Sequence, residues 1–170
     1  MSAGHKIVIS PDLFLYSRRG RYLWSPDRAA NAWEQAYGAL KHALATSTLP
    51  VTVHLVCGLQ GSGKTTWIDA QPSPNNCLHL FFDATLPTVE DRRPVLSYGK
   101  AFNCAVHAIH VATPLDICLA RNLSRSSDRQ VPTSVINETL RTFEIPSIKE
   151  GYDRVLTMGK TKGVVIRANF

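Results

Sequence analysis

The stretch "VTVHLVCGLQGSGKTTWID", residues 51–69, constrains the fold of this chain more than any other. A mostly apolar, β-prone run leads into a turn carrying Gly58, Gly61 and Gly63, and "KTTWID" then suits a short helix. A turn between a buried strand and a helix can wrap an anion only if backbone N–H groups converge on it. That demands glycine wherever a Cβ would intrude or φ must be positive. Gly58, Gly63, Lys64 and Thr65 fit the spacing G-x-x-x-x-G-K-[ST], which predicts a nucleoside triphosphate, here ATP, held by Gly58, Gln60, Gly61, Ser62, Gly63, Lys64, Thr65 and Thr66. In that arrangement Lys64 reaches the β- and γ-phosphates, Thr65 places its hydroxyl on Mg²⁺, and the helix aims its positive end at the same charge.

Two further features turn a phosphate loop into candidate chemistry. "LHLFFD" ends an apolar run on Asp83, which a parallel sheet would deliver to its carboxyl edge beside the loop. A carboxylate there can hold the magnesium shell or take a proton from an attacking hydroxyl, and the residues leave both roles open. Arg121, Arg125 and Arg129 recur at i, i+4 and i+8 and share a helix face for as long as a helix continues past Ser124. They predict an arginine-bearing lid over about 121–132 that closes on the nucleotide, with Arg121 and Arg125 as catalytic candidates and Arg129 on the nucleotide; an exposed basic helix face with no catalytic role is the other reading. Arg92 and Arg93 follow Asp83 closely enough to project over the same edge. They are candidates for binding a phosphate on the acceptor, with solvated surface arginines as the other reading.

The order of elements predicts a single α/β domain over 1–170, a three-layer P-loop NTPase or kinase fold with a mainly parallel sheet. "KIVIS" reads as a short strand, and the apolar flanks of Arg18-Arg19-Gly20-Arg21 suggest a hairpin or irregular turn. Ser25-Pro26-Asp27 starts a helix running to about Ala45, on which Trp33, Tyr37, Leu40 and Leu44 recur at core spacing. Residues 1–50 should extend the sheet and cover one face of the 51–170 core. Further strands are expected in "CLHLFFDA", "AVHAIHVA", "DRVLTM" and "GVVIRANF". "EDRRPVLSYGKAFN" should be partly helical with a boundary or kink at Pro94. Thr113-Pro114-Leu115-Asp116 has the spacing of a capping box, and a helix from about Val135 should be stopped by Pro146.

Composition narrows the partners. A formal charge of +6 favours a polyanionic ligand, whether nucleotide or nucleic acid. The four cysteines form no C-x-x-C pair, and His107 and His110 differ in strand parity and should face opposite sides of the sheet, so no structural zinc is expected. "MSAGHKIVIS" has no long apolar core of a signal peptide, and no run of roughly 18 apolar residues appears, so a cytoplasmic protein without membrane contact is expected. No N-K-x-D stretch points to a GTPase switch.

The stretch "LARNLSRSSDRQVPTSVINETLRTFEIPSIKEGYDRV" resembles the lid and following helix of the polynucleotide kinase family, with its R-N-x-x-R segment, V-P or I-P, and F-E-x-P-x-x-x-E-G-[FY] ending. "FFDATLPTVEDRR" is similar to the family's D-x-T-N-x-x-x-x-R-R stretch, matching Asp83 and Thr85. The resemblance, over roughly 51–155, implies Mg²⁺-dependent transfer of the ATP γ-phosphate to a 5′-hydroxyl of nucleic acid, with Arg121 and Arg125 on the ATP phosphates. In that family the acceptor base comes from a strand and acidic loop between the phosphate loop and the Asp83 position. Here that interval is short, so either Asp83 does both jobs or the acceptor chemistry differs. A kinase for a small metabolite or nucleotide, and a regulatory module that binds ATP without transferring phosphate, are the alternative expectations.

Overall fold

The computed structural model of the protein describes residues 5–72 and 76–159. Its strands are β1 (His5–Ile9), β2 (Val51–Cys57), β3 (Leu78–Asp83), β4 (Ala105–Val111) and β5 (Arg154–Met158). They pair in the order β1-β3-β2-β4-β5 as one all-parallel sheet. The helices are α1 (Pro26–Thr46), α2 (Lys64–Asp69), α3 (Val89–Ala101), α4 (Leu115–Leu123) and α5 (Thr133–Thr142). No described helix is long and apolar enough to cross a membrane. The expected strand "GVVIRANF" lies outside the described residues.

Strand alternation divides the core. Val53, Leu55, Leu80 and Phe82 point to one face, where Ala36, Leu40 and Leu44 of α1 and Val95 of α3 cover them. Val56, Phe81 and Ile109 point to the other, against Ile68 of α2. Burial on both sides is why these strands read as nearly continuous apolar runs. Ser25 caps α1 by accepting a bond from the Arg28 amide at 3.2 Å. Trp33 and Tyr37 lie 6.2 and 5.7 Å from the Phe82 ring, so this aromatic pair packs on the sheet as its helical spacing predicts.

Three local expectations need correction. Pro94 neither ends nor bounds α3, which runs through it; the carbonyl it strips of a partner, on Glu90, lies in the exposed first turn, where water can serve it. Thr113 does not cap α4. Its hydroxyl instead donates to the Ser62 carbonyl at 2.7 Å, tying the end of β4 to the glycine loop. The helix that begins at Leu115 stops at Leu123, so Arg121, Arg125 and Arg129 do not share a helix face: Arg125 follows the end of α4 and Arg129 sits in the separate 3-10 turn Ser127–Arg129.

Arg92 is the largest fully buried side chain among the described residues. Its Nε and Nη2 donate to the two carboxylate oxygens of Glu150 at 2.9 Å, and its Nη1 donates to the carbonyls of Leu86, Pro87 and Glu144. The guanidinium therefore staples the loop after β3 to the segment before β5. Removing one partner leaves a buried charge alone, so R92A should lower stability by about 3–5 kcal/mol in urea unfolding; a loss under 1 kcal/mol would contradict this.

On the α2 face, His54 of β2 stacks between strands, its Nε2 2.8 Å from Nδ1 of His79 and its ring 5.3 Å from that of His107. His110, of opposite parity, stacks on Phe143. Burial, then His107 and His79, hold His54 down to about 3 from its ordinary 6.5. The unfolded chain takes up a proton that the folded chain refuses, so this site's contribution to stability is complete above about 6.5 and is lost as the pH falls towards about 3. An H54N variant should flatten that limb of the stability curve, measured by urea unfolding at a series of acidic pH values.

Candidate functional site

The carboxyl ends of β1, β3, β2 and β4 open into one cleft of about 1270 Å³. This is the edge at which open parallel sheets receive ligands. Its floor is the turn between β2 and α2. Gly58 has φ +147° and Gly61 has φ +80°, and a Cβ would lie 2.6 Å from the Val111 carbonyl oxygen in the first case and 2.4 Å from that of Cys118 in the second. Only glycine permits the turn to run this close to its neighbours.

The carbonyls of that turn organise the cations above it. Lys64 Nζ donates to Gly58 O at 3.0 Å and Leu59 O at 3.1 Å, while Arg121 Nη1 donates to Gly61 O at 3.3 Å and Ser62 O at 3.2 Å. Burial lowers the Lys64 ammonium from its ordinary range, opposed by Asp83, Cys57 and Asp12. Gln60, Thr66 and Arg125 also line the cleft, and Oε1 of Gln60 and Oγ of the buried Ser62 have no partner among the described residues. The Gly63 carbonyl accepts from the Trp67 amide at 2.9 Å as α2 begins. The amides of Lys64, Thr65 and Thr66 are first-turn groups with no partner inside that helix.

Asp83 sits where its position after the apolar run places it, opposite Val56 and only 7% exposed. Its Oδ2 accepts from the Thr65 hydroxyl at 2.8 Å. Burial raises its carboxyl above the usual range, Lys64 and Thr65 pull it down, and Asp12 and Asp69 push it up. No group of three or more His, Cys, Asp or Glu forms a metal site among the described residues. A hydroxyl and a carboxylate side by side are nonetheless the hard oxygen pair that suits Mg²⁺, which keeps several waters and needs only one or two protein carboxylates besides substrate phosphates.

The segment 121–132 keeps its three arginines on the cleft although helix periodicity does not place them there. Asn122, 1% exposed, donates from Nδ2 to Val131 O at 2.7 Å and accepts from Val131 N at 3.0 Å. The loop between is closed like a hairpin, with Gln130 Nε2 donating to the carbonyls of Leu123 and Arg125. Arg129 reaches across to the Tyr16 ring, 5.9 Å from its centroid.

Arg92 and Arg93 are not part of the cleft. Arg92 spends its donors inside the protein, as described above. Arg93 pairs with Glu90 at 2.9 Å on the surface, both side chains well exposed.

Sequence reasoning missed Thr113 and the whole wall contributed by residues 10–33, including Asp12, Tyr16, Tyr22 and Trp24. The signal for Asp12 was present: it follows the stretch "KIVIS" by two residues, as an acid just past a strand end.

Replacing Asn122 with alanine would strand both backbone groups of Val131. N122A should cost about 1–3 kcal/mol and remove hydrogen-exchange protection at the Val131 amide; retained protection would show that another contact closes the loop. Comparison of the chain with protein-family models and with curated proteins finds no match.

Proposed function

We propose that the protein is an ATP- and Mg²⁺-dependent phosphotransferase of the polynucleotide kinase type, moving the γ-phosphate to the 5′-hydroxyl of a nucleic acid. The observation that carries the reading is the convergence on one cleft of Lys64, the Thr65–Asp83 pair and the arginines of 121–132, around a turn that only glycines can form. The 5′-hydroxyl rests on the resemblance of "ARNLSR" and "FEIPSIKEGY" to that family and on the charge of +6.

In phosphoryl transfer the protein's task is positioning and charge neutralisation. Thr65 and Asp83 would hold Mg²⁺, which neutralises phosphate charge when bound. Lys64, now resting on the carbonyls of Gly58 and Leu59, is within its own side chain's reach of an anion seated on the loop. Arg121 and Arg125 supply further positive charge from the lid, and the burial of Asp83 strengthens the interactions made there.

The direct test is transfer of labelled γ-phosphate to 5′-hydroxyl DNA and RNA oligonucleotides, with nucleosides and small hydroxyl metabolites as a second panel. Labelled oligonucleotides are expected. Label on small compounds alone would make the protein a small-molecule kinase, and ATP binding with no transfer at all would leave a regulatory nucleotide-binding module. D83N should lower turnover or magnesium affinity by about 10–100-fold, read from a magnesium titration.

A further inference from the structure

The residues assigned above fill one side of the cleft and leave the wall formed by residues 10–33 without a role. Asp12 stands on that wall, in the 3-10 turn Pro11–Leu15 that directly follows β1. Because β1 runs parallel to β3 with Ile9 opposite Phe82, this turn leaves the sheet beside Asp83. The charge of Asp12 is felt at both Lys64 and Asp83.

The two carboxylates differ in how far they are committed. Asp83 is buried and accepts a short bond from Thr65. Asp12 is exposed, and its one described hydrogen bond comes from the Tyr22 hydroxyl at 3.5 Å, too long to hold it against a better donor. Asp128, the other acid on the cleft, belongs to the turn that carries Arg129.

The rest of the wall is aromatic. Tyr16 and Tyr22 form an isolated bridge and pack edge to face at 5.4 Å. Trp24 lines the cleft while remaining 64% exposed. A large indole surface left bare beside a tyrosine pair offers a flat ring something to stack on, without regard to which base it is.

Resting on the phosphotransferase reading, we infer that residues 10–33 form the acceptor half of the site: Asp12 takes the proton of the acceptor hydroxyl, and Tyr16, Tyr22 and Trp24 receive the base of the nucleoside that bears it. As the acceptor oxygen bonds to the γ-phosphorus, its proton passes to the Asp12 carboxylate. The bond from that phosphorus to the bridging oxygen breaks, and its electron pair leaves on the terminal phosphate of ADP. Asp83 stays with Thr65 and takes no proton.

The test uses the full chain, γ-labelled ATP and two probes, 5′-hydroxyl oligothymidylate and free thymidine. Binding of either probe is read separately from turnover, by isothermal titration calorimetry. D12N should bind ATP and probe as the wild type does and lose about 10²-fold or more in kcat. W24A should bind the probe about tenfold more weakly, an effect read as a higher KM in the labelling assay. If D12N turns over within threefold of wild type, Asp12 is not the base. If W24A binds both probes unchanged, the aromatic wall is not the acceptor site. A wild-type protein that binds ATP yet labels no acceptor would overturn the phosphotransferase reading beneath both and this inference with it.

Discussion

The carbonyl groups of residues 58–62 are the constraint on which the cleft depends. Backbone can pass within van der Waals contact of β4 and α4 only where no Cβ intervenes, and Gly58 and Gly61 occupy the two closest approaches. Once the turn is seated there, its carbonyls face the cations and the β4 end: Gly58 and Leu59 accept from Lys64, Gly61 and Ser62 from Arg121, and Ser62 also from Thr113. One short piece of chain thus fixes groups from three different elements. A Cβ at either glycine would do more than strain one residue, because every donor resting on the turn would shift with it.

A second polar centre, around Arg92, does for the segment before β5 what the glycine turn does for the cleft. Full burial of a guanidinium is tolerable only when its donors are satisfied, and Glu150 with three carbonyls supplies that. Glu150 also accepts from the Ser147 amide, and Glu144 accepts from the Val89 amide at 2.6 Å. "DRR" and "FEIPSIKEG" therefore meet at one buried ion pair, Arg92 with Glu150. Sequence adjacency to Asp83 suggested a ligand-binding role for Arg92, but position on α3 turns that side chain inward.

What the sequence made legible follows the strength of local physics. Strands buried on both faces, the Ser25 cap of α1 and the glycine turn each have a short-range cause, and each appears where its residues indicate. Asp83 could be placed because a parallel strand delivers its last residue to one edge. Features decided by tertiary contact were not legible. Thr113 bonds to Ser62, far away in sequence, in preference to a helix amide next to it. The loop after Leu123 is held by Asn122 reaching to Val131, a pairing that periodicity of arginines does not encode.

Proximity in sequence points to the interval from Lys64 to Asp83 for a second acid beside Asp83. In a parallel sheet, however, every strand ends at the same edge, so any residue following any strand is a candidate neighbour. β1 enters the sheet beside β3 although the long helix α1 and the whole glycine turn separate them along the chain. Its last residue, Ile9, is level with Phe82, and Asp12 lies one turn beyond. The same connection brings α1 onto the sheet, so the segment that covers the core is also the one that walls the cleft. Residues 8–33 thus contribute one wall of the cleft at the carboxyl edge of the sheet, through β1 and the segment that follows it.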